Sequence, residues 1–307
     1  MARTILVPLD GSEVAEQALP YACRLARQGG AEVVLLRAAP FAANSGKPSS
    51  PLRVTVRDAE DYLEALWYRL AGEGLRVRTE VLHTAPARAI TFTARREGVD
   101  LIIMSTHGYA GVQRFLRDSV AETVLRRTTT PMLFVRASDH PSAPRVDPYS
   151  KVLVPLDGTP FAETALTYLQ DADWCSAAEI VLLRVVAPTM PAYGADLSGM
   201  AGPIGPGPAR FDKDQEEEAR QYLAQVGERQ LEGRVTAAQV RVGLAAQAIV
   251  EAASVPDIEF IVLATHGRTG FDRLAHGSVA RHVLHHAPVP VLLLHGVDML
   301  AQVHEVS

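Results

Sequence analysis

The chain has 307 residues and a mass of 33.1 kDa, about twice the usual size of one domain, so two domains are the first expectation. At 48% hydrophobic and 21% charged it has ample core material, and no apolar run reaches the roughly 18–20 residues of a membrane span. A net charge of −5 with 6% aromatics argues against a nucleic-acid partner, and two cysteines, Cys23 and Cys175, cannot build a disulfide framework and point to a reducing cytoplasm. The apolar start meets Asp10 too early for a secretory signal.

In chain order, Thr4–Leu9 is a continuous apolar run, the pattern of a strand buried on both faces of a parallel sheet. Ser12 is placed to cap a helix whose apolar face carries Val14, Ala15, Ala18, Leu19, Ala22 and Leu25, and Pro20 inside it predicts a kink. Cys23 lies on that apolar face, as a small core residue. A second buried strand covers 32–38. A helix over 58–73 places Ala59, Tyr62, Leu63, Leu66, Trp67 and Leu70 on one side. Strand 76–82, a helix opened by Pro86, strand 100–105, a helix near 116–127 and strand 131–136 complete the series. The order β-α-β-α-β-α-β-α-β predicts a five-stranded, parallel, doubly wound α/β domain with helices on both faces.

The series then starts again. Ile5-Leu-Val-Pro-Leu-Asp-Gly-Ser12 returns as Val152-Leu-Val-Pro-Leu-Asp-Gly-Thr159, and Val33-Val-Leu-Leu-Arg37 as Ile180-Val-Leu-Leu-Arg184, both at an offset of 147. Asp100–Gly108 matches Glu259–Gly267, and Thr130–Val135 matches Val289–Leu294, both at an offset of 159. The extra length of the second copy falls in residues 187–211, which hold five Pro and five Gly. The chain is therefore read as a tandem duplication. Copy 1 spans 1–137, a Pro- and Ser-containing linker 138–150, and copy 2 151–297, followed by a loose tail.

Doubly wound sheets bind ligands beyond the carboxyl ends of their strands, where the winding reverses. Two features fall at such ends. After strand 1, Asp10 and Asp157 offer a carboxylate that either accepts hydrogen bonds from ribose hydroxyls or serves only to cap the next helix. After strand 4 of copy 2, Ala264-Thr-His266-Gly267 is followed by nine residues and then by Gly277-Ser278-Val279 at the start of the last helix. Gly267 permits close backbone approach, and the exposed N–H groups of a helix start favour phosphate. His107 and His266 sit within these turns, either touching phosphate or only shaping the turn.

Both copies resemble the universal stress protein family, over nearly the whole chain apart from the linker, the 187–211 segment and the tail. The resemblance rests on the strand-1 aspartate, a residue ending strand 2, and G-x2-G-x9-G-[S/T] around strand 4. It implies an adenine-nucleotide site holding ATP, with Mg²⁺ as its candidate companion, formed in copy 2 by Asp157, Val185, Ala264, Gly267, Gly277 and Ser278, with Pro155, His266 and Val279 beside them. Ala264 replaces the first glycine of the pattern. In copy 1 the same places hold Asp10, Ala38, Ser105, Gly108, Asp118 and Ser119. Two glycines are missing there and Asp118 brings a negative charge to the phosphate position, so the expected site of copy 1 is the weaker one.

The function this implies is a cytoplasmic stress-response regulator that binds ATP mainly through copy 2. The alternatives are a slow ATP hydrolase and a nucleotide-free scaffold acting through protein partners. No catalytic base or arginine finger can be placed, so no catalytic residue is assigned. His282, His285 and His286 have metal-pair spacing but no acidic companion, and read as a solvated helix face. Finally, strand 5 of each copy, Met132–Val135 and Val291–Leu294, ends its sheet. Exposed edges invite pairing, and the resemblance implies that protomers of the family pair at this edge, so the two copies are expected to join there as an intrachain pseudo-dimer, with other surfaces left for any homodimer.

Overall fold

The computed structural model describes residues 4–39, 55–106, 119–137, 151–172, 176, 178–188, 213–231, 236–265 and 278–295. Copy 1 runs β1 Thr4–Leu9, α1 Glu13–Glu16, α2 Leu19–Gly29, β2 Glu32–Ala38, α3 Val56–Gly72, β3 Arg76–Leu82, α4 Pro86–Arg96, β4 Leu101–Thr106, α5 Val120–Leu125 and β5 Met132–Arg136. Copy 2 runs β6 Lys151–Pro155, α6 Pro160–Gln170, β7 Glu179–Val186, α7 Lys213–Gln230, β8 Thr236–Val242, α8 Ala245–Ala253, β9 Ile258–Thr265, α9 Ser278–His286 and β10 Val291–His295. The linker 138–150 and most of the 187–211 segment, with Cys175, lie outside the described residues.

Among the described residues the ten strands form one sheet, ordered β3-β2-β1-β4-β5-β10-β9-β6-β7-β8. Within each copy the neighbours are parallel, as with Ile5 beside Val33 and Ile103 beside Leu133. The two copies meet through the one antiparallel pairing of the sheet, β5 against β10, with Phe134 opposite Val291 and Met132 opposite Leu293. The fifth strands therefore pair with each other, as their apolar sequences predict. All their residues from Met132 to Val135 and from Val291 to His295 are buried.

Apolar runs in the eight inner strands produce this arrangement because those strands are covered on both sides, whereas the outer strands β3 and β8 are more polar and carry no buried run. On one face, Ile5, Val7, Val33, Leu35, Leu133 and Val135 join Val152, Val154, Phe260, Val262, Leu292 and Leu294 in a single core under α2, α3, α6 and α7. On the other face, α4 and α5 pack on Leu6, Ile102, Met132 and Phe134, and that cluster also takes in Leu263, Ala280 and Leu293 from copy 2. Neither face of the core stops at the boundary between copies. Fully burying one such Leu or Phe contributes about 1.5–3 kcal/mol.

Among the described residues, one charged pair crosses the same boundary. Arg24 of α2 meets Glu259 of β9 at 2.8 Å, with their side chains only 6% and 13% exposed. Nearby on α2, burial pushes the Cys23 thiol up to about 11, as befits a core residue.

Pro20 does more than kink a helix. The chain closes α1 after one turn, passes through Gln17 and Ala18, and begins α2 at Leu19, with Pro20 at an opening position where its missing N–H costs nothing. In copy 2 the proline sits at the first position, Pro160, and the same stretch forms one eleven-residue helix. Copy 1 thus has a four-residue helix followed by an eleven-residue one opened by its proline, where copy 2 has a single eleven-residue helix opened by its own.

Candidate functional site

In each copy the chain runs from strand 1 outward to strands 2 and 3, then returns to the other side of strand 1 for strands 4 and 5. The winding reverses between β1 and β4 in copy 1 and between β6 and β9 in copy 2, which is where such sheets open a crevice. Leu153 pairs with Ile261 and Pro155 with Leu183. The turn after β6 therefore leaves the sheet between the ends of β7 and β9.

The predicted residues of copy 2 are distributed around that mouth. Pro155 ends β6 and is buried, Asp157 is exposed in the turn, Val185 is the half-buried penultimate residue of β7, and Ala264 is the half-buried penultimate residue of β9. Ser278 and Val279 open α9. His266, Gly267 and Gly277 lie outside the described residues. In copy 1, Asp10, Ala38, Ser105 and Ser119 take the corresponding places, whereas His107, Gly108 and Asp118 lie outside the described residues.

The aspartates do not cap the helix themselves. Asp157 Oδ1 accepts from Thr159 N at 2.9 Å and from Thr159 Oγ1 at 2.6 Å, and Thr159 in turn accepts from Ala162 N as the N-cap of α6. Copy 1 repeats this with Asp10, Ser12 and Ala15. One carboxylate oxygen thus orients the capping hydroxyl. Among the described residues, Oδ2 of each aspartate makes no hydrogen bond. Thr265 Oγ1 at the end of β9 and Ser105 Oγ at the end of β4 are buried and likewise have no hydrogen-bond partner among the described residues.

A polar cluster lies under each turn, formed by residues that no local motif singles out. Arg37, buried at the end of β2, donates from Nη2 to the carbonyl of Asp10 at 3.2 Å, and its guanidinium lies 4.5 Å from the Tyr62 ring centre. Tyr62 donates to Glu16 Oε1 at 2.9 Å, and Arg69 pairs with the same carboxylate. In copy 2, Arg184 Nη1 donates to the carbonyl of Leu156 at 3.2 Å, Tyr222 donates to Glu163 Oε1 at 3.2 Å, and Arg229 pairs with Glu163. Burial and the adjoining glutamate push both tyrosine hydroxyls well above their ordinary range, so they stay protonated donors. The signal was present in the repeat: Glu16 and Arg37 recur at 147 as Glu163 and Arg184, while Tyr62 and Arg69 recur at 160 as Tyr222 and Arg229.

The helix starts beyond strand 4 differ. Ser119 caps α5 by accepting from Glu122 N at 3.1 Å, and Glu122 places a carboxylate in the first turn, paired with Arg126. The first turn of α9 has no acidic residue, and Arg281 stands where copy 1 has Glu122. Farther along α9, the histidines are not a solvated face. His282 and His286 are half-buried and stacked with ring centres 4.1 Å apart, and His286 Nδ1 lies 2.9 Å from the carbonyl of His282. Among the described residues no group of three or more His, Cys, Asp or Glu could hold a metal ion, and no helix is long and apolar enough to cross a membrane.

Known proteins agree with this architecture. The universal stress protein family matches residues 1–136 and again residues 148–295, so the chain belongs to that family. A universal stress protein of Mycolicibacterium smegmatis is 26% identical over 309 residues, covering 94% of this chain and 96% of that one. Universal stress protein MJ0531 of Methanocaldococcus jannaschii is 32% identical over 139 residues, 44% of this chain and 82% of its own length. Among solved structures, a universal stress protein of Archaeoglobus fulgidus superposes with a TM-score of 0.71 at 19% identity, over 95% of this chain and 98% of the other, which establishes a shared fold.

Proposed function

We propose that the chain is a regulatory binding module that takes adenine nucleotide, as ATP or its Mg²⁺ complex, at the mouth of copy 2. The observation that carries this reading is the contrast between the two helix starts. Copy 2 opens α9 with Ser278 and has Arg281 in place of the first-turn Glu122 of copy 1. Phosphate is favoured at a helix start by the unpaired N–H groups and the dipole, and a carboxylate in the first turn opposes it.

The surrounding groups fit the rest of such a ligand. Asp157 can accept from ribose hydroxyls, Val185 and Ala264 supply small apolar surface on either side of the turn, and Thr265 Oγ1 offers a hydroxyl with no partner among the described residues. Asp10 and Ser119 of copy 1 keep the same places beside a first-turn carboxylate, which makes copy 1 the weaker binder or an empty one. With no catalytic residue assigned, bound ATP is expected to turn over far below the roughly 1–100 per second of kinases.

Isothermal titration with ATP and Mg²⁺ tests the reading, with about one equivalent bound per chain as the expected result. Two equal sites, or a Gly277→Glu chain that binds as tightly as the parent, would overturn the assignment to copy 2. Phosphate release at several per second, lost in Asp157→Ala, would move the protein into the enzyme class.

A further inference from the structure

We infer that Arg184 is a positioning residue for the nucleotide site of copy 2, holding the Leu156–Thr159 turn from beneath so that Asp157 meets its ligand already oriented. The inference rests on the nucleotide reading above and concerns how that site is built.

Three observations carry it. The first is the cost of the residue itself. β7 sends Ile180 and Leu182 into the core, and Arg184 is the next residue on that face. A leucine there would continue the apolar layer, whereas a half-buried guanidinium loses hydration and needs polar work to offset the loss. That work is directed at the turn, since Nη1 donates to the carbonyl of Leu156, next to Asp157.

The second is the fit of the turn around the guanidinium. Gly158 has φ of +87°, and a Cβ there would come within 3.3 Å of Arg184 Nη2. In copy 1, Gly11 also has φ of +87°, and its Cβ would come within 2.6 Å of Arg37 Nη2. The backbone conformation requires glycine at both turns, and in both the guanidinium packs directly against it. Arginine and turn are therefore shaped to each other in both copies.

The third is a second line of support. Glu163, in the first turn of α6, is gripped by Tyr222, Arg229 and Gln230 from α7. The loop that carries Asp157 is thus fixed from β7 below and through α6 from α7. Pre-organisation of this kind contributes to affinity by removing the cost of ordering the loop when ligand arrives.

Arg184→Met and Arg184→Lys, compared with the parent and with the exposed control Arg220→Met, test this. Titration with ATP gives the affinity, and amide exchange of Gly158 and Thr159 without nucleotide gives the order of the turn. The expected result is a loss of about tenfold in affinity for both Arg184 variants, faster exchange at Gly158 and Thr159 in both, and no change for Arg220→Met. Lysine keeps the charge but not the planar fork, so a Lys variant that binds like the parent would make the effect one of charge and overturn the inference. Unchanged exchange, or faster exchange with unchanged affinity, would also overturn it. If Arg184→Met fails to fold, Gly158→Ala disturbs the same fit from the other side and is expected to weaken ATP binding without removing a charge. A parent chain that binds no nucleotide refutes the functional reading instead, and the exchange data then decide the turn's support by themselves.

Discussion

Copies 1 and 2 share a strand order, a P-L-D-G turn and the arginine beneath it, yet differ in three physical respects. Residues 1–137 carry 18 Lys and Arg against 14 Asp and Glu, while residues 151–307 carry 11 against 19. Copy 1 breaks its first helix at Pro20, whereas copy 2 keeps it whole. Copy 1 has a carboxylate in the helix turn that would face phosphate, and copy 2 an arginine. The parts that remain alike are those that build the sheet and shape the turn. Of the parts that differ, the helix turn lies where the proposed ligand would be met, and α2 carries Arg24 to the other copy.

The largest test of this contrast lies at the seam. Asp100 and Glu259 are corresponding residues, but Asp100 is exposed and accepts from Thr4 N, whereas Glu259 pairs with buried Arg24. Glu259→Ala strands a buried charge and is expected to cost about 3–5 kcal/mol in chemical denaturation. Asp100→Ala is expected to cost about 1 kcal/mol or less. Equal losses would mean that the seam pair does not distinguish the copies.

Charge reversal at the helix starts comes next. Arg281→Glu is expected to weaken ATP binding about tenfold. Asp118→Gly combined with Glu122→Arg is expected to move the titration from one equivalent toward two. If neither change alters stoichiometry or affinity, the phosphate does not sit at these helix starts.

A pH titration sharpens the comparison at strand 5. His295 ends β10, fully buried, where the corresponding residue of copy 1 is the half-buried Arg136. Burial pulls the His295 imidazole below its ordinary range, partly offset by backbone groups of Thr128 and Leu293. His282 and His285 are lowered as well, through burial and then through His286. The unfolded chain therefore binds more protons than the folded one at mildly acid pH, and stability should be lost as the pH falls below about 6.5. Each group contributes at most ~1.4 kcal/mol per pH unit. Denaturation at pH 7.5 and 5.5 should show a smaller decline in His295→Gln than in the parent, and an equal decline would remove His295 from the account.

The smallest expected effect is at the caps. Thr159 caps eleven helical residues and Ser12 only four. Thr159→Ala should lower stability by about 1 kcal/mol and Ser12→Ala by less, as read from thermal melts.

Much of the fold was legible because its strands are buried on both faces, which leaves unbroken apolar runs such as Leu6-Val7 and Val152-Leu153-Val154 between recognisable helix starts. The seam was legible partly from the apolar runs Met132–Val135 and Val291–Leu294 at the end of each sheet, and partly from what the family resemblance implies about that edge. The break before Pro20 is not legible from periodicity, because a proline within a helical pattern fits a kink in one helix as well as the opening of another. In the candidate site, Asp157 and Ser278 stood out by spacing. Arg184 and Tyr222 did not, because their role depends on β7 ending beneath the turn of β6 while α7 lies against α6, a proximity across the sheet that no local pattern encodes. The Arg24–Glu259 pair was hidden for the same reason, its members being 235 positions apart.

That pair has a consequence for how such a chain can evolve. When two identical subunits join about a twofold axis, every contact occurs twice, and any change is imposed on both halves of the interface at once. Here the position corresponding to Arg24 is Asp171 and that corresponding to Glu259 is Asp100, so the mirror image of the pair would set two carboxylates together. A symmetric dimer could not hold both arrangements, since it would repeat one pairing at both places, Arg24 with Asp100 or Asp171 with Glu259. Covalent linkage removes the obligation: the halves stay together at high effective concentration, and each side of the joint is free to specialise without its reflection.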